Sequence, residues 1–509
     1  MNPQSKSWPQ WREADVRRRQ AKRLAQYLRA VVLPFSAHYR NLFRERGLTA
    51  DSIRSLDDLA LLPFTSKADL LNTADQPEHF RDFITVPDEK ILARRPGTIC
   101  RALVRGREHV RKGFEAEFRP IFPTFTTGRA AEPVPFLYTQ HDLARLAVAA
   151  RRVMEVCGAR REDRMMNAFP YVPHLAFWLT YYAGVSFGSM MFSSGGGKVM
   201  GTDGTLRLIR KIRPDVFIGI PTFLYHVLSQ AVDEGLRWPN LRCIVLGGEK
   251  VSDGLRSKFQ ELARELGVPP GKTDVLATYG FTEAKMAWAE CPPPPGQPPS
   301  GYHLYPDLGI VEVVDPHTGV PVPNGQPGEI VFTPLDARGT VVLRYRTGDY
   351  LEGGLRYEPC PYCHRVVPRL AGRISRSSEI REMNLDKLKG TLVDFNELEH
   401  VLDDAPHIGA WQLELRKVKD DPHELDEIIL HVNKINGADD GALRRELSER
   451  CHRYTDVHPN RILFHSAGEM QQLQGVGTLL KEQKIVDHRP KTPESGTIVP
   501  TVGEELKSA

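Results

Sequence analysis

A chain of 509 residues exceeds what one ordinary hydrophobic core serves, so two or three domains are expected. Its 41% hydrophobic and 26% charged residues are those of a globular protein and exclude a disordered or fibrous chain. The formal net charge is only +4, and Lys and Arg are spread out apart from 17–19 and 94–112, which argues against a nucleic-acid-binding face. The first residues lack an apolar leader, so no secretory signal is expected and a cytoplasmic location follows. Seven cysteines in such a chain point to a reducing compartment, where close pairs serve metal binding or catalysis rather than disulfides.

In chain order, residues 10–46 carry apolar positions at helical spacing among arginines and read as surface helices. At 62–71, LPFTSKADLL is a connector in which Ser66 is placed to cap a helix. Residues 74–115 are charged and poorly periodic and read as a weakly structured insertion. PTFTTGRAAEPVPF (123–136) then sets Thr124, Thr126 and Thr127 before Gly128. Hydroxyls and exposed backbone N–H groups in a tight turn suit a polyphosphate, although most such loops are simply loops. From 165 to 197 there is no charged residue, which is long enough to span a bilayer. The stretch nevertheless holds Asn167, Pro170, Pro173, His174 and a triple glycine, so a buried strand and helix of a soluble core is expected, without membrane association.

Helical and strand-like runs alternate from residue 140: helices at 140–157, 205–212, 222–234 and 257–266, strands at 215–220, 241–246 and 275–279. Such alternation predicts a parallel sheet with helices on its faces, whose ligands sit at the carboxyl ends of the strands. Two motifs fall there, Gly247-Gly248-Glu249 and the end of VLATYGFTE (275–283). In the latter, Tyr279 offers a face for a base and Gly280 a place for close backbone approach. Thr282 offers a donor to a phosphate oxygen, and Glu283 a hard oxygen ligand for Mg²⁺. The alternative is a strand end with ordinary loop residues. After a proline-rich loop (291–303), the pattern over 309–350 becomes period two and predicts a small antiparallel sheet. Residues 378–490 read as a compact α+β unit, with helices at 396–402 and 440–454 and strands at 411–416, 427–432 and 461–464. The tail from Lys491 reads as disordered.

The ordered set TFTTGRAAEP, GGE, YGFTE, YRTGD (345–349), GR (372–373) and a lysine near the end resembles the adenylate-forming superfamily of acyl-CoA synthetases, in particular its phenylacetate-CoA ligase branch. The resemblance covers roughly residues 20–490. It implies an α/β fold: a large AMP-binding domain (1–373) of mostly parallel sheets plus a small antiparallel region, then a small mobile α+β domain (374–490) and a tail (491–509). It implies that Tyr279 stacks on adenine with Gly247 and Gly248 nearby, that Thr282 contacts the α-phosphate and Glu283 holds Mg²⁺. It further implies that Asp349 accepts both ribose hydroxyls, that Arg373 sits beside the ribose, and that Lys481 bridges carboxylate and α-phosphate. Lys484 is a nearby rival for that last role, and a surface ion pair is the alternative reading of Asp349 and Arg373.

The uncharged stretch 168–178 contributes Tyr171, His174 and Phe177 as candidate pocket residues for an apolar acid, or as plain core. The implied activity is ATP- and Mg²⁺-dependent activation of a carboxylic acid, with transfer to a thiol, coenzyme A, by a possible homodimer. Phe125 stands where the family's phosphate loop has glycine, its lysine is missing with Arg129 close by, and the hinge segment departs from the family pattern. Transfer to a deazaflavin coenzyme or a protein therefore stays open, as does a non-catalytic nucleotide-binding protein. Cys291, His303, Cys360 and Cys363 form a Cys₃His set suited to a closed structural Zn²⁺ site, as in several relatives. Reduced buried thiols are the alternative, and His364 rivals His303.

Overall fold

The amino-terminal helices bury one face each. In the computed structural model α1 (Glu13–Tyr27), α2 (Leu33–Phe35) and α3 (Ala37–Glu45) place Leu24, Tyr27, Phe35, Tyr39 and Phe43 in the main core. They are therefore more than the surface helices expected. The Tyr39 hydroxyl accepts from the Leu343 N–H (2.7 Å) and ties them to a segment three hundred residues on. Residues 11–71, 78–126, 133–376, 385–388, 391–417, 426–435, 437–455, 458–479 and 483–488 are described.

Ser66 opens only a single 3₁₀ turn, Ala68–Leu70, with its N–H and hydroxyl both donating to Asp69 (2.7 Å). Of the 74–115 stretch, expected to be weakly structured, the described part from 78 on is largely helical: α4 (Glu89–Leu92), α5 (Pro96–Arg105) and α6 (Arg107–Phe118). Its order comes from end signals rather than from periodicity. The Asp88 carboxylate accepts from the N–H groups of Lys90 and Ile91, and Pro96 presets the first turn of α5. Phe118 and Phe114 meet Phe35 edge-on at centroid distances of 5.0 and 6.5 Å and seat the hairpin on α2.

Strand β1 (Pro120–Phe125) pairs antiparallel with β2 (Pro135–Thr139), which leads into α7 (Gln140–Val156) through a reciprocal cap between Thr139 and Asp142. The main sheet then assembles from β3 (Arg164–Asn167), β4 (Met190–Ser193), β5 (Val216–Gly219), β6 (Cys243–Gly247), β7 (Asp274–Phe281) and β8 (Met286–Ala289), in the order β4-β3-β5-β6-β7-β8. All neighbours are parallel except β7 and β8. Helices α8 (Leu175–Phe187), α9 (Gly197–Ile212), α10 (Pro221–Asp233) and α11 (Asp253–Glu265) cover it. The uncharged 165–197 stretch is thus β3, α8 and β4, and among the described residues no helix is long and apolar enough to cross a membrane. β7 outruns the predicted strand by two residues. It turns through Thr282–Ala284, reverses at Lys285 (φ +57°) and returns as β8.

Next come β9 (Tyr302–His303), β10 (Gly309–Val314), β11 (Gly328–Pro334), β12 (Tyr345–Leu351), β13 (Leu355–Arg356), β14 (Arg369–Leu370) and β15 (Ile374–Arg376). They make an antiparallel sheet β10-β11-β12-β15 and a smaller one, β13-β14-β9. Because β15 pairs with β12, this ladder runs past residue 373.

After the β16 (Leu385–Leu388) and β17 (Thr391–Asp394) hairpin, a second core forms around Leu402, Trp411, Leu413, Leu430 and Leu447. Its elements are α12 (Phe395–Asp403), β18 (Ile408–Lys417), β19 (Asp426–Lys434), α13 (Asp440–Thr455), β20 (Arg461–His465), α14 (Ala467–Leu473) and β21 (Ile485–Asp487), with sheet order β20-β19-β18-β21. This unit touches the large one where Gly254 N–H donates to Asp404 (2.8 Å) and where His226 Nε2 meets Gln474 Oε1 (2.8 Å). Burial holds the His226 imidazole neutral, with its pKa pushed down to about 4, so that contact is an uncharged hydrogen bond. The 491–509 tail lies outside the described residues.

Candidate active site

The parallel strands end on one rim, and the rim carries the motifs. At the end of β7 the Tyr279 ring lies against Trp288 (5.9 Å, 24°), and its hydroxyl donates to Asp349 Oδ2 at 2.7 Å. A bond of this kind to a carboxylate is of the strong, charge-assisted class. Asp349 reaches it through a bulge. Glu329 pairs with Tyr350 and Val331 with Arg346, so β12 advances four residues where β11 advances two. Thr347-Gly348-Asp349 thus stand opposite the single residue Ile330, and the central glycine has φ +71°, a conformation that favours glycine. The reverse bond also exists: Tyr345 on β12 donates its hydroxyl to Glu283 Oε1 at 2.6 Å, just beyond β7. Two segments seventy residues apart thus exchange tyrosine hydroxyls for carboxylates. Phe281 seals the seam between their sheets, meeting Phe332 at 5.7 Å and Tyr345 at 6.4 Å.

A second junction is the Phe125 carbonyl at the end of β1. It faces the Thr282 hydroxyl at 3.4 Å and His174 Nδ1 at 3.0 Å, while the Phe125 N–H donates to Pro173 (2.8 Å). One residue therefore holds the end of β1, the YGFTE motif and the 171–174 segment together. Thr124 is fully buried and its hydroxyl meets that of Tyr138 (3.3 Å), so it lies inside the hairpin rather than on its lip. The Thr126 hydroxyl accepts from Val134 N–H (3.0 Å) and braces the loop. Thr127 and Gly128 lie outside the described residues.

Gly247 and Gly248 end β6, with Gly247 tight against Thr278 of β7. The Glu249 carboxylate accepts from the N–H (3.2 Å) and hydroxyl (2.8 Å) of Thr222, where it caps the positive end of α10. Gly280 has a different neighbour from the ligand expected: an added Cβ would stand 2.5 Å from that of Ala287, so the close approach is made by β8. The Arg373 side chain is exposed, and its carbonyl accepts from Glu352 (3.0 Å). Tyr171 is 60% exposed and meets Phe177 edge-on (5.1 Å), whereas Phe177 is buried.

Beside them a small cleft is lined by Ala168, Pro170, Gly197, Ile220, Phe223 and, from the small unit, Gly477. Lys481 lies outside the described residues, four positions beyond Gly477. The rival Lys484 is engaged elsewhere. Its Nζ donates to both Asp403 oxygens (2.8 and 3.1 Å) above the Trp411 ring, and Asp403 holds its pKa above the ordinary range against the pull of burial.

Cys291, His303, Cys360 and Cys363 converge behind β8, with their ligand atoms all within 4.8 Å of one another. Cys291 Sγ is 3.6 Å from Cys360 Sγ, and Cys363 Sγ is 3.2 Å from His303 Nε2. A tetrahedral zinc shell asks for roughly 3.8 and 3.5 Å, so the donor set fits. His303 Nδ1 faces the Ala289 carbonyl (3.4 Å), which leaves Nε2 to a metal, and Ser300 Oγ is 3.1 Å from Cys360 Sγ. His364 is not among the clustered ligands.

Lys285 carries no motif and escapes a reading of the sequence, yet it braces the site. Fully enclosed, its Nζ donates to the carbonyls of Leu137 and Arg338 (2.7 Å each) and to Asp142 (3.1 Å). Burial pulls its pKa down while Asp142 opposes the shift.

This arrangement, an aromatic, a hydroxyl and two acids on the carboxyl rim of a parallel sheet, stands where sheets of this kind hold their ligands. Comparison with known proteins is consistent with it. Residues 113–334 match the AMP-binding enzyme family. The phenylacetate-coenzyme A ligase of Aromatoleum evansii is 27% identical over 352 residues, 68% of either chain. That of Escherichia coli is 27% identical over 389 residues, 74% of either chain. A 2-hydroxyisobutyryl-CoA ligase solved in its postadenylation state with 2-HIB-AMP superposes with TM-score 0.72 at 19% identity, covering 96% of this chain and 94% of the other. The same ligase in its thioesterification state gives 0.61 at 20% identity, with the same coverage. Residues 113–334 thus carry an AMP-binding enzyme domain, and the chain is similar to phenylacetate-coenzyme A ligases over about two thirds to three quarters of its length.

Replacing Lys285 by Met leaves Asp142 and two carbonyls buried beside an apolar group. Urea unfolding should show a loss of about 3–5 kcal/mol; a loss below about 1 kcal/mol would contradict the bracing role.

Proposed function

We propose that this protein is an AMP-forming acid–thiol ligase that activates an apolar carboxylic acid with ATP and passes the acyl group to coenzyme A. The observation that carries the reading is the exchanged pair of tyrosine–carboxylate bonds, which brings Tyr279, Glu283 and Asp349 to one rim. Asp349 has two acceptor oxygens for the ribose hydroxyls, one of them oriented by Tyr279, whose ring lies along the adenine site. Thr282, beside the β1 stem, donates to the α-phosphate, and Gly247 and Gly248 border the base. Glu283 is the carboxylate to hold Mg²⁺, which when bound neutralises phosphate charge. The Tyr345 hydroxyl keeps that carboxylate in place.

In the first half-reaction a substrate carboxylate oxygen attacks the α-phosphorus, and the bond to pyrophosphate breaks. Lys481 is assigned to this step as a point charge on the transferring group. In the second, the thiol sulfur attacks the acyl carbon and AMP leaves with the bonding pair. Tyr171, His174 and Phe177 form the acid's side of the site, with His174 anchored on the Phe125 carbonyl. We assign a structural Zn²⁺ to the Cys₃His cluster. With four protein donors the shell is closed, so the metal serves to staple β8 to the β13-β14-β9 sheet and thereby to support Trp288 under Tyr279.

Exchange of labelled pyrophosphate into ATP across a panel of aryl and fatty acids should depend on an added acid. Lys481→Ala should abolish that exchange yet spare thioester formation from a supplied acyl-adenylate. Acid-independent exchange, or equal loss of both half-reactions, would contradict the reading. Elemental analysis should find about one zinc per chain. A Cys360→Ser/Cys363→Ser variant should lose the metal and melt several degrees lower, on the order of 5 °C or more. Protein purified under reducing conditions that neither contains zinc nor takes it up would remove the metal from the account.

A further inference from the structure

The basic stretch near residues 94–112 takes no part in the site, and the structure gives it a shape. From Lys90 to Lys112 there are eight basic residues and a single acid, Glu108. Among the described residues, the ion pairs of this stretch are those of Glu108 with Arg111 (3.0 Å) and Lys112 (3.8 Å). α6 holds the hairpin to the protein through Phe114 and Phe118, and of α5 only Thr98 is buried. The outer side of α5 carries aliphatic residues at helical spacing: Leu103 is 82% exposed, Val104 77% and Ile99 44%. Adjacent aliphatic side chains held this far into solvent, on a helix flanked by the exposed Arg105 and Arg107, mark a contact surface.

We propose that α5 docks the protein on an anionic lipid bilayer, with Ile99, Leu103 and Val104 entering the headgroup–acyl boundary while the flanking arginines stay among the lipid phosphates. A phosphate backbone of nucleic acid rewards the charge but not the aliphatic stripe. A bilayer surface rewards both, and it accepts a convex helix that offers no groove to a folded partner. The surface is joined to the chemistry through the chain: α6, about 18 Å long, leads back from the α5 turn to β1, a six-residue strand spanning about 20 Å that ends at the Phe125 junction. The docking itself is independent of the ligase reading.

Flotation of the full-length protein with phosphatidylcholine vesicles containing about one-third phosphatidylglycerol tests this. Binding should appear on those vesicles and be largely absent on pure phosphatidylcholine. Each of Arg101→Gln and Arg105→Gln should weaken it about fivefold, and Leu103→Glu/Val104→Glu at least about tenfold. All four residues are exposed, so circular dichroism should be unchanged throughout, and melting unchanged for every variant but Arg101→Gln, whose guanidinium lies over the Phe114 ring at 5.7 Å. A polarity-sensitive fluorophore on the exposed Cys100 should shift to the blue with anionic vesicles. No binding at low salt, binding indifferent to Leu103→Glu/Val104→Glu, or preference for duplex DNA or an acidic polypeptide over vesicles would overturn the proposal.

Discussion

Two tyrosine hydroxyls hold this site together. Tyr279 of the parallel sheet donates to Asp349 of the antiparallel sheet, and Tyr345 of the antiparallel sheet donates to Glu283 beside the parallel one. Neither carboxylate is positioned by its own element alone. Each has its orientation fixed by the other sheet, so the rim exists only when both sheets are folded and docked. The aromatic seam of Phe281, Trp288, Phe332 and Tyr345 supplies the apolar contact that makes this docking favourable.

Around that centre the remaining parts are held by single polar nodes. The Phe125 carbonyl gathers Thr282 and His174, so the end of β1, the turn after β7 and the 171–174 segment are held as one piece. Lys285 does the same beneath the rim, joining β2, the start of α7 and the Arg338 turn through one ammonium group. Each node is a polar group in an apolar setting and is tolerated because its partners satisfy it. The small unit attaches through the buried neutral pair His226–Gln474, the Gly254 N–H on the Asp404 carboxylate and an ion pair between Lys250 and Glu399 (3.6 Å).

Much of this was legible in the sequence where signals are local. Alternation of helix and strand over 140–281 follows from period and punctuation, and strands β5, β6 and β7 fall where the apolar runs put them. The Cys₃His set was visible because thiols and imidazole at that spacing have few other uses. What escaped was either non-local or hidden by charge. α5 and α6 are short and arginine-rich, so their order rests on a capping aspartate, a proline and an anchor on Phe35 that no window reveals. Lys285 looked like any lysine because its role is set by a left-handed turn and by three partners distant in sequence. Gly280 and Glu249 were read toward a ligand, whereas strand packing and a helix cap account for their contacts.

A double-mutant cycle on nucleotide affinity tests the exchanged-bond account most directly. ATP binding would be measured by calorimetry for Tyr279→Phe, Asp349→Asn and the double variant. If the bond orients Asp349 for the ribose, the two changes are coupled by about 1 kcal/mol or more, and the double variant binds little worse than Asp349→Asn alone. Strict additivity, or single variants that bind ATP as tightly as the unaltered protein, would show that the two side chains do not serve one nucleotide.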